Sequence, residues 1–173
     1  MMSIGWQNGW AITLYDDAEE YYIKAISLVK QVFSEDSPNL AQLYLDYANC
    51  LLGKGNYSEA ICNIKALNQF TENDTLLERV MEHKLGTCYY LLTNYSEAVN
   101  HLQKAAELCR QNENGKTDIG YIAVDLYFAC RGMNELDLAE EYKQIALATV
   151  RQYYDDVELS AYVHNLEINL AEK

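Results

Sequence analysis

Apolar residues recur at spacings of three and four along nearly the whole chain, the period of helices that bury one face. Ile12, Tyr15, Ala18, Tyr22, Ala25, Ile26 and Val29 form the first stripe and predict a helix over 11–33. Residues 1–9 read as an irregular or partly helical lead. Ser34-Glu35-Asp36-Ser37-Pro38 breaks the pattern, with Ser37 placed to cap the next helix and Pro38 suited to its first position. Leu40, Leu43, Tyr44, Tyr47, Ala48 and Leu51 mark that helix, which Gly53 and Gly55 should end. A helix over 57–70 follows at once, so these two must lie antiparallel. The pattern then repeats. Helical hairpins are predicted over 38–70, 74–111 and 116–154, and a last helix over 155–171 caps the final one.

The repetition is visible in the residues themselves. Asn-Tyr-Ser-Glu-Ala occurs at 56–60 and again at 94–98, so Ala98 follows Ala60 by 38 residues. A period in that range means stacked supersecondary units. With no linker or low-complexity stretch, residues 1–173 read as one domain of about eight helices. One Pro and eight Gly leave few breakers.

Charge narrows the partners. There are 26 acidic and 13 basic residues, a net charge of −13, and the basic ones are scattered. Phosphate backbones need clustered Lys and Arg, so nucleic acid and anionic membrane are not expected partners. The acidity either serves solubility or steers a basic segment. The five Cys lack Cys-x-x-Cys spacing and are odd in number, against a disulfide framework or a zinc knuckle. Free thiols suit a reducing compartment, so a cytoplasmic setting is expected, with no signal peptide and no membrane span. The 15 Tyr suit helix seams with one wet edge.

The hairpins resemble the tetratricopeptide repeat, in which small residues at positions 8, 20 and 27 let two helices approach. Ala60 at position 20 puts Tyr47 at 7, Ala48 at 8, Tyr57 at 17 and Ile64 at 24. Ala98 at 20 puts Leu85 at 7, Gly86 at 8, Tyr89 at 11, Leu102 at 24 and Ala105 at 27. Ala139 at 20 puts Leu126 at 7 and Ala146 at 27, but bulky Tyr127 takes position 8, so that hairpin is expected to sit wider. Ala18 at 20 makes the first helix the second half of a partial repeat. The intervals between these alanines are 42, 38 and 41 residues, longer than 34 and similar to the repeats of kinesin light chains and of bacterial repeat regulators. The resemblance implies an all-α fold, an α-solenoid of antiparallel hairpins in a short right-handed superhelix. It also implies a non-enzymatic scaffold that holds a protein or peptide segment in a concave groove lined by the first helix of each hairpin.

By the family's register, Gln42, Leu45, Asn49 and Leu52, then His83, Thr87 and Tyr90, then Tyr121, Val124, Phe128 and Arg131 would face that groove. Amides there could bond an extended backbone and aromatics could take apolar side chains. Co-chaperones of this family hold a C-terminal carboxylate. At their clamp positions this chain has Leu45, Asn49, Lys84, Tyr121 and Asp125, of which Asn49 alone fits, so that function is rejected. No catalytic constellation, cofactor loop or metal motif is present: His83, His101 and His164 lie on separate helices. Glu82 reads as ordinary surface. Two other roles stay open: an intracellular sensor of a signalling peptide, and a small acidic secretion chaperone. Self-association through the two end helices is a further option.

Overall fold

In the computed structural model the described residues are 5–35, 37–111 and 118–151. They form seven α-helices and no strand: α1 (Gly5–Val32), α2 (Asn39–Lys54), α3 (Tyr57–Lys65), α4 (Thr75–Leu91), α5 (Tyr95–Arg110), α6 (Asp118–Gly132) and α7 (Leu136–Val150). The helix expected over 155–171 lies outside the described residues. α1 starts at Gly5, within the expected lead and ahead of the expected start at residue 11, so the stretch around Gly9 continues the helix rather than delaying it. α3 is shorter than expected and tightens into a 3-10 turn over Ala66–Phe70.

Consecutive helices pack together. α2 with α3, α4 with α5, and α6 with α7 form antiparallel hairpins, and α1 lies on α2. All three hairpins close through the same turn. Its left-handed residue is Gly55 (φ 80°), Thr93 (φ 59°) or Asn134 (φ 63°). The next amide reaches back to a carbonyl five residues earlier: Asn56 to Leu51, Asn94 to Tyr89 and Glu135 to Cys130, each at 2.9 Å. This satisfies carbonyls that a helix end would leave open. The entry to α2 differs from expectation. Pro38 rather than Ser37 takes the cap place, with no side-chain cap bond, and buried Ser37 accepts at its carbonyl from the Leu40 amide at 2.9 Å. Gly53 is not a stop either, because α2 runs through it to Lys54.

Two core clusters share the stack. The first joins α2, α3 and α4, with Ala18, Tyr22, Ile26 and Val29 of α1 packed on it. The second joins α5, α6 and α7. Ala48, Ala60, Ala98 and Ala105 are fully buried where helices touch. Gly86 is tighter still: a Cβ there would stand 2.5 Å from Leu102 Cγ. The third hairpin solves its problem differently. Tyr127 is buried in the second cluster, and the close approach of α6 and α7 moves to Gly120, where a Cβ would meet Thr149 Cγ2 at 2.7 Å. The helices therefore stay close, against the expectation of a wider hairpin. Cys50 and Cys88 occupy matching buried places in the first two hairpins, and buried Cys130 lies one position further along in the third.

Candidate functional site

The first helices of the hairpins, α2, α4 and α6, carry the residues expected to line a groove. These residues are tied to one another across the helices. Asn49 on α2 is exposed, and its Oδ1 accepts from Lys84 Nζ on α4 at 2.6 Å. Burial holds the Lys84 ammonium below its ordinary pKa, while Asp46 pulls the other way. His83 Nε2 lies 2.9 Å from Asp125 Oδ2 on α6. The Thr87 hydroxyl lies 3.2 Å from the same carboxylate oxygen and 3.1 Å from the His83 carbonyl. Tyr90 and Phe128 stand with ring centroids 6.4 Å apart, and Tyr90 also meets Tyr95 at 5.8 Å. Polar and aromatic contacts thus link α2 to α4 and α4 to α6.

Not every expected residue joins them. Gln42 donates to Asp46 within its own helix at 2.9 Å. Leu45 is half-buried against the first core cluster. Tyr121 stands out at 68 % exposed. The Arg131 guanidinium lies 5.9 Å from the ring centroid of Tyr127 rather than of Phe128.

Sequence reasoning missed Asp46 and weighed Lys84 and Asp125 only as clamp positions for a carboxylate. Asp46, Lys84 and Asp125 occupy the same register position, one step from the expected groove rows, and alternate in sign from helix to helix. That alternation was the available signal. It matters because neighbouring first helices attract, and because Asp125 places a carboxylate beside His83 and Thr87.

Glu82 corrects the surface reading. It is 4 % exposed and sits between α4 and α5. His101 Nδ1 lies 2.6 Å from its Oε2, and Lys104 Nζ lies 2.8 Å from its Oε1. Lys104 also reaches Glu78 at 2.9 Å, and His101 stacks on Tyr89 with centroids 5.3 Å apart. The period of α4 hid this, because residues 82 and 83 point about 100° apart and only one can face α5. A buried charge needs partners, and here they are complete.

Behind this, Tyr47 ties α1 and α3 to α2. Its hydroxyl donates toward Glu19 at 3.2 Å and Glu59 at 3.1 Å, and burial first, then those carboxylates, push its pKa well up. Lys54 bonds Asp16 at 2.7 Å and also pairs with Glu19. A crevice between α5, α6 and α7 is lined by Ala106, Ile119, Ala123 and Ile145 and holds none of the expected groove residues. Among the described residues no three His, Cys, Asp or Glu converge as metal ligands. No described helix is long and apolar enough to cross a membrane.

The tetratricopeptide repeat family profile matches residues 10–66. No curated protein matches the chain in sequence. Among solved structures, the crystal structure of BtubC (BKLC) from P. vanneervenii is similar, with a TM-score of 0.71 and 19 % sequence identity. The match covers 83 % of this chain and 61 % of BtubC, so it spans under two thirds of that protein. At this identity the likeness establishes a common fold. Residues 10–66 thus match the tetratricopeptide repeat family, and the described helices after them continue the same α-solenoid of antiparallel hairpins.

Proposed function

We propose that the chain is a non-enzymatic scaffold that binds a protein or peptide segment along α2, α4 and α6. Repeats of this family generally serve protein–protein interaction. The observation that carries the finer reading is the set of side-chain links between the first helices. Asn49 and Lys84, then His83, Thr87 and Asp125, then Tyr90 and Phe128 link the first helices of the three successive hairpins. Amide, imidazole and hydroxyl groups there can exchange hydrogen bonds with an extended backbone, and the paired rings offer apolar contact. Asp46 and Asp125 outnumber Lys84 there, which favours a basic or mixed segment over an acidic one. Four buried free thiols support a reducing, cytoplasmic setting.

The test is affinity capture from the source cell with the wild-type chain and with an Asn49→Ala, Tyr90→Ala, Phe128→Ala variant. Circular dichroism checks that the variant keeps its helices. A partner held by the wild type and lost from the folded variant supports the reading. Equal capture by both overturns it.

A further inference from the structure

α1 has two apolar faces, and the described helices cover one. Ala18, Tyr22, Ile26 and Val29 pack on the first core cluster. Tyr21, Leu28 and Val32 lie within about 40° of one another around the helix and make a second stripe. They are 72 %, 60 % and 62 % exposed. A row of large apolar side chains left open on one helix marks an interaction surface.

The other hairpins show what such a face takes. When Ala18 is matched to Ala98 and Ala139, Tyr21 corresponds to His101 on α5 and Leu28 to Thr149 on α7. His101 is covered by Glu82 of α4 at 2.6 Å. Thr149 is covered by Gly120 of α6, where a Cβ would come within 2.7 Å. Both covering residues lie on the first, antiparallel helix of the same hairpin. The open stripe of α1 thus has the register of a hairpin's second helix, and the element that fits it is an antiparallel helix.

Charge selects the occupant. The chain carries −13, so a second copy would bring a like charge. Exposed Asp17 lies one turn ahead of Tyr21, exposed Glu20 directly precedes it, and exposed Glu35 follows Val32 and pairs with Lys30 at 3.8 Å. Lys24 and Glu20 beside the stripe neutralise each other, so Asp17 and the overall charge carry its acidic character. We propose that the Tyr21–Leu28–Val32 face of α1 docks an amphipathic helix with basic flanks from a partner protein, laid antiparallel as the first helix of a hairpin is. This surface is separate from the rows on α2, α4 and α6 and stands or falls independently of them.

The experiment titrates two labelled synthetic helices into the full chain and follows fluorescence anisotropy. Both carry Leu at i, i+3, i+4 and i+7 spacing; one has Lys at the remaining positions and the other Glu. The comparison protein is a Leu28→Ser, Val32→Ser variant, which changes exposed positions and leaves the charge unaltered. The expected result is binding of the Lys peptide to the wild type, at least tenfold weaker binding to the variant, and none for the Glu peptide. Equal Lys-peptide binding by both proteins means general charge attraction and overturns the proposal, as does the absence of binding. Sedimentation of the same samples covers the remaining occupant: a dimer lost in the variant assigns the face to a second copy and overturns the basic partner.

Discussion

Gly132 of α6 lies against the ring of Tyr95, the first residue of α5: a Cβ at Gly132 would stand 2.6 Å from Cζ and 2.7 Å from both Cδ atoms. The same register joins Gly53 of α2 to Tyr15 of α1, at 2.5 Å from Cζ. A tyrosine on one hairpin's second helix thus seats on a glycine of the next hairpin's first helix, and this fixes how successive units stack.

Alanine substitutions at three glycines should therefore rank by what they strike. Gly86→Ala meets the fully buried Leu102 Cγ at 2.5 Å and the Ala98 carbonyl oxygen at 3.2 Å, with nowhere to go. We expect a loss of about 1–3 kcal/mol. Gly132→Ala must lift a whole ring and should cost less, because alanine regains about 1 kcal/mol of helix propensity. Gly53→Ala meets the hydroxyl end of Tyr15, which can swing aside, so it should be near neutral. Urea unfolding of the three variants checks the order.

Thr93 holds a left-handed conformation (φ 59°) that Gly55 and Asn134 hold in the sister turns. A β-branched residue there is strained by about 1–2 kcal/mol. Thr93→Gly should raise stability by about 0.5–1 kcal/mol, the strain relieved being partly offset by glycine's greater freedom when unfolded. The urea midpoint should rise with an unchanged slope. A fall would mean that the threonine side chain supplies a compensating contact.

Glu82 accepts from Lys104 and pairs with His101 inside the α4–α5 seam. Glu82→Gln keeps the shape and removes the charge, so the bonds lose their charge assistance. The expected cost is about 1–3 kcal/mol. His101→Ala should cost a similar amount, and the double variant less than the sum of the two. Strict additivity in urea unfolding would show that the two side chains act independently.

The thiols set an alkaline limit. Burial pushes Cys88 and Cys130 up to about 11, from 9.0. The folded chain therefore keeps protons that the unfolded chain releases above pH 9. Their contribution is complete below pH 9 and declines between pH 9 and 11, by about 1.4 kcal/mol per thiol for each pH unit. A Cys88→Ala, Cys130→Ala variant should lose less stability than the wild type between pH 8 and 10. In the native state at pH 8, exposed Cys62 should react quickly with a thiol reagent and the four buried thiols slowly.

The architecture was legible because it is written twice. Asn56–Ala60 and Asn94–Ala98 share their residues, and the structure gives them the same turn. The third hairpin was harder to read, since its close contact moved from position 8 to Gly120 and only packing reveals such an exchange. Helical period placed Asn49, His83, Thr87, Tyr90 and Phe128 on the first helices but could not say which side chains meet. Lys84 reaches across to Asn49, and Asp125 to His83, over 35 and 42 residues of sequence. Glu82 shows the same limit: a charged residue beside a predicted groove row turned out to be the buried partner of the other face.

The most direct test of the central claim is amide chemical-shift mapping of the labelled chain with its captured partner. The account predicts shifts concentrated on α2, α4 and α6 around Asn49, His83, Thr87, Tyr90 and Phe128. Shifts confined to α3, α5 and α7, with those rows unmoved, would contradict it.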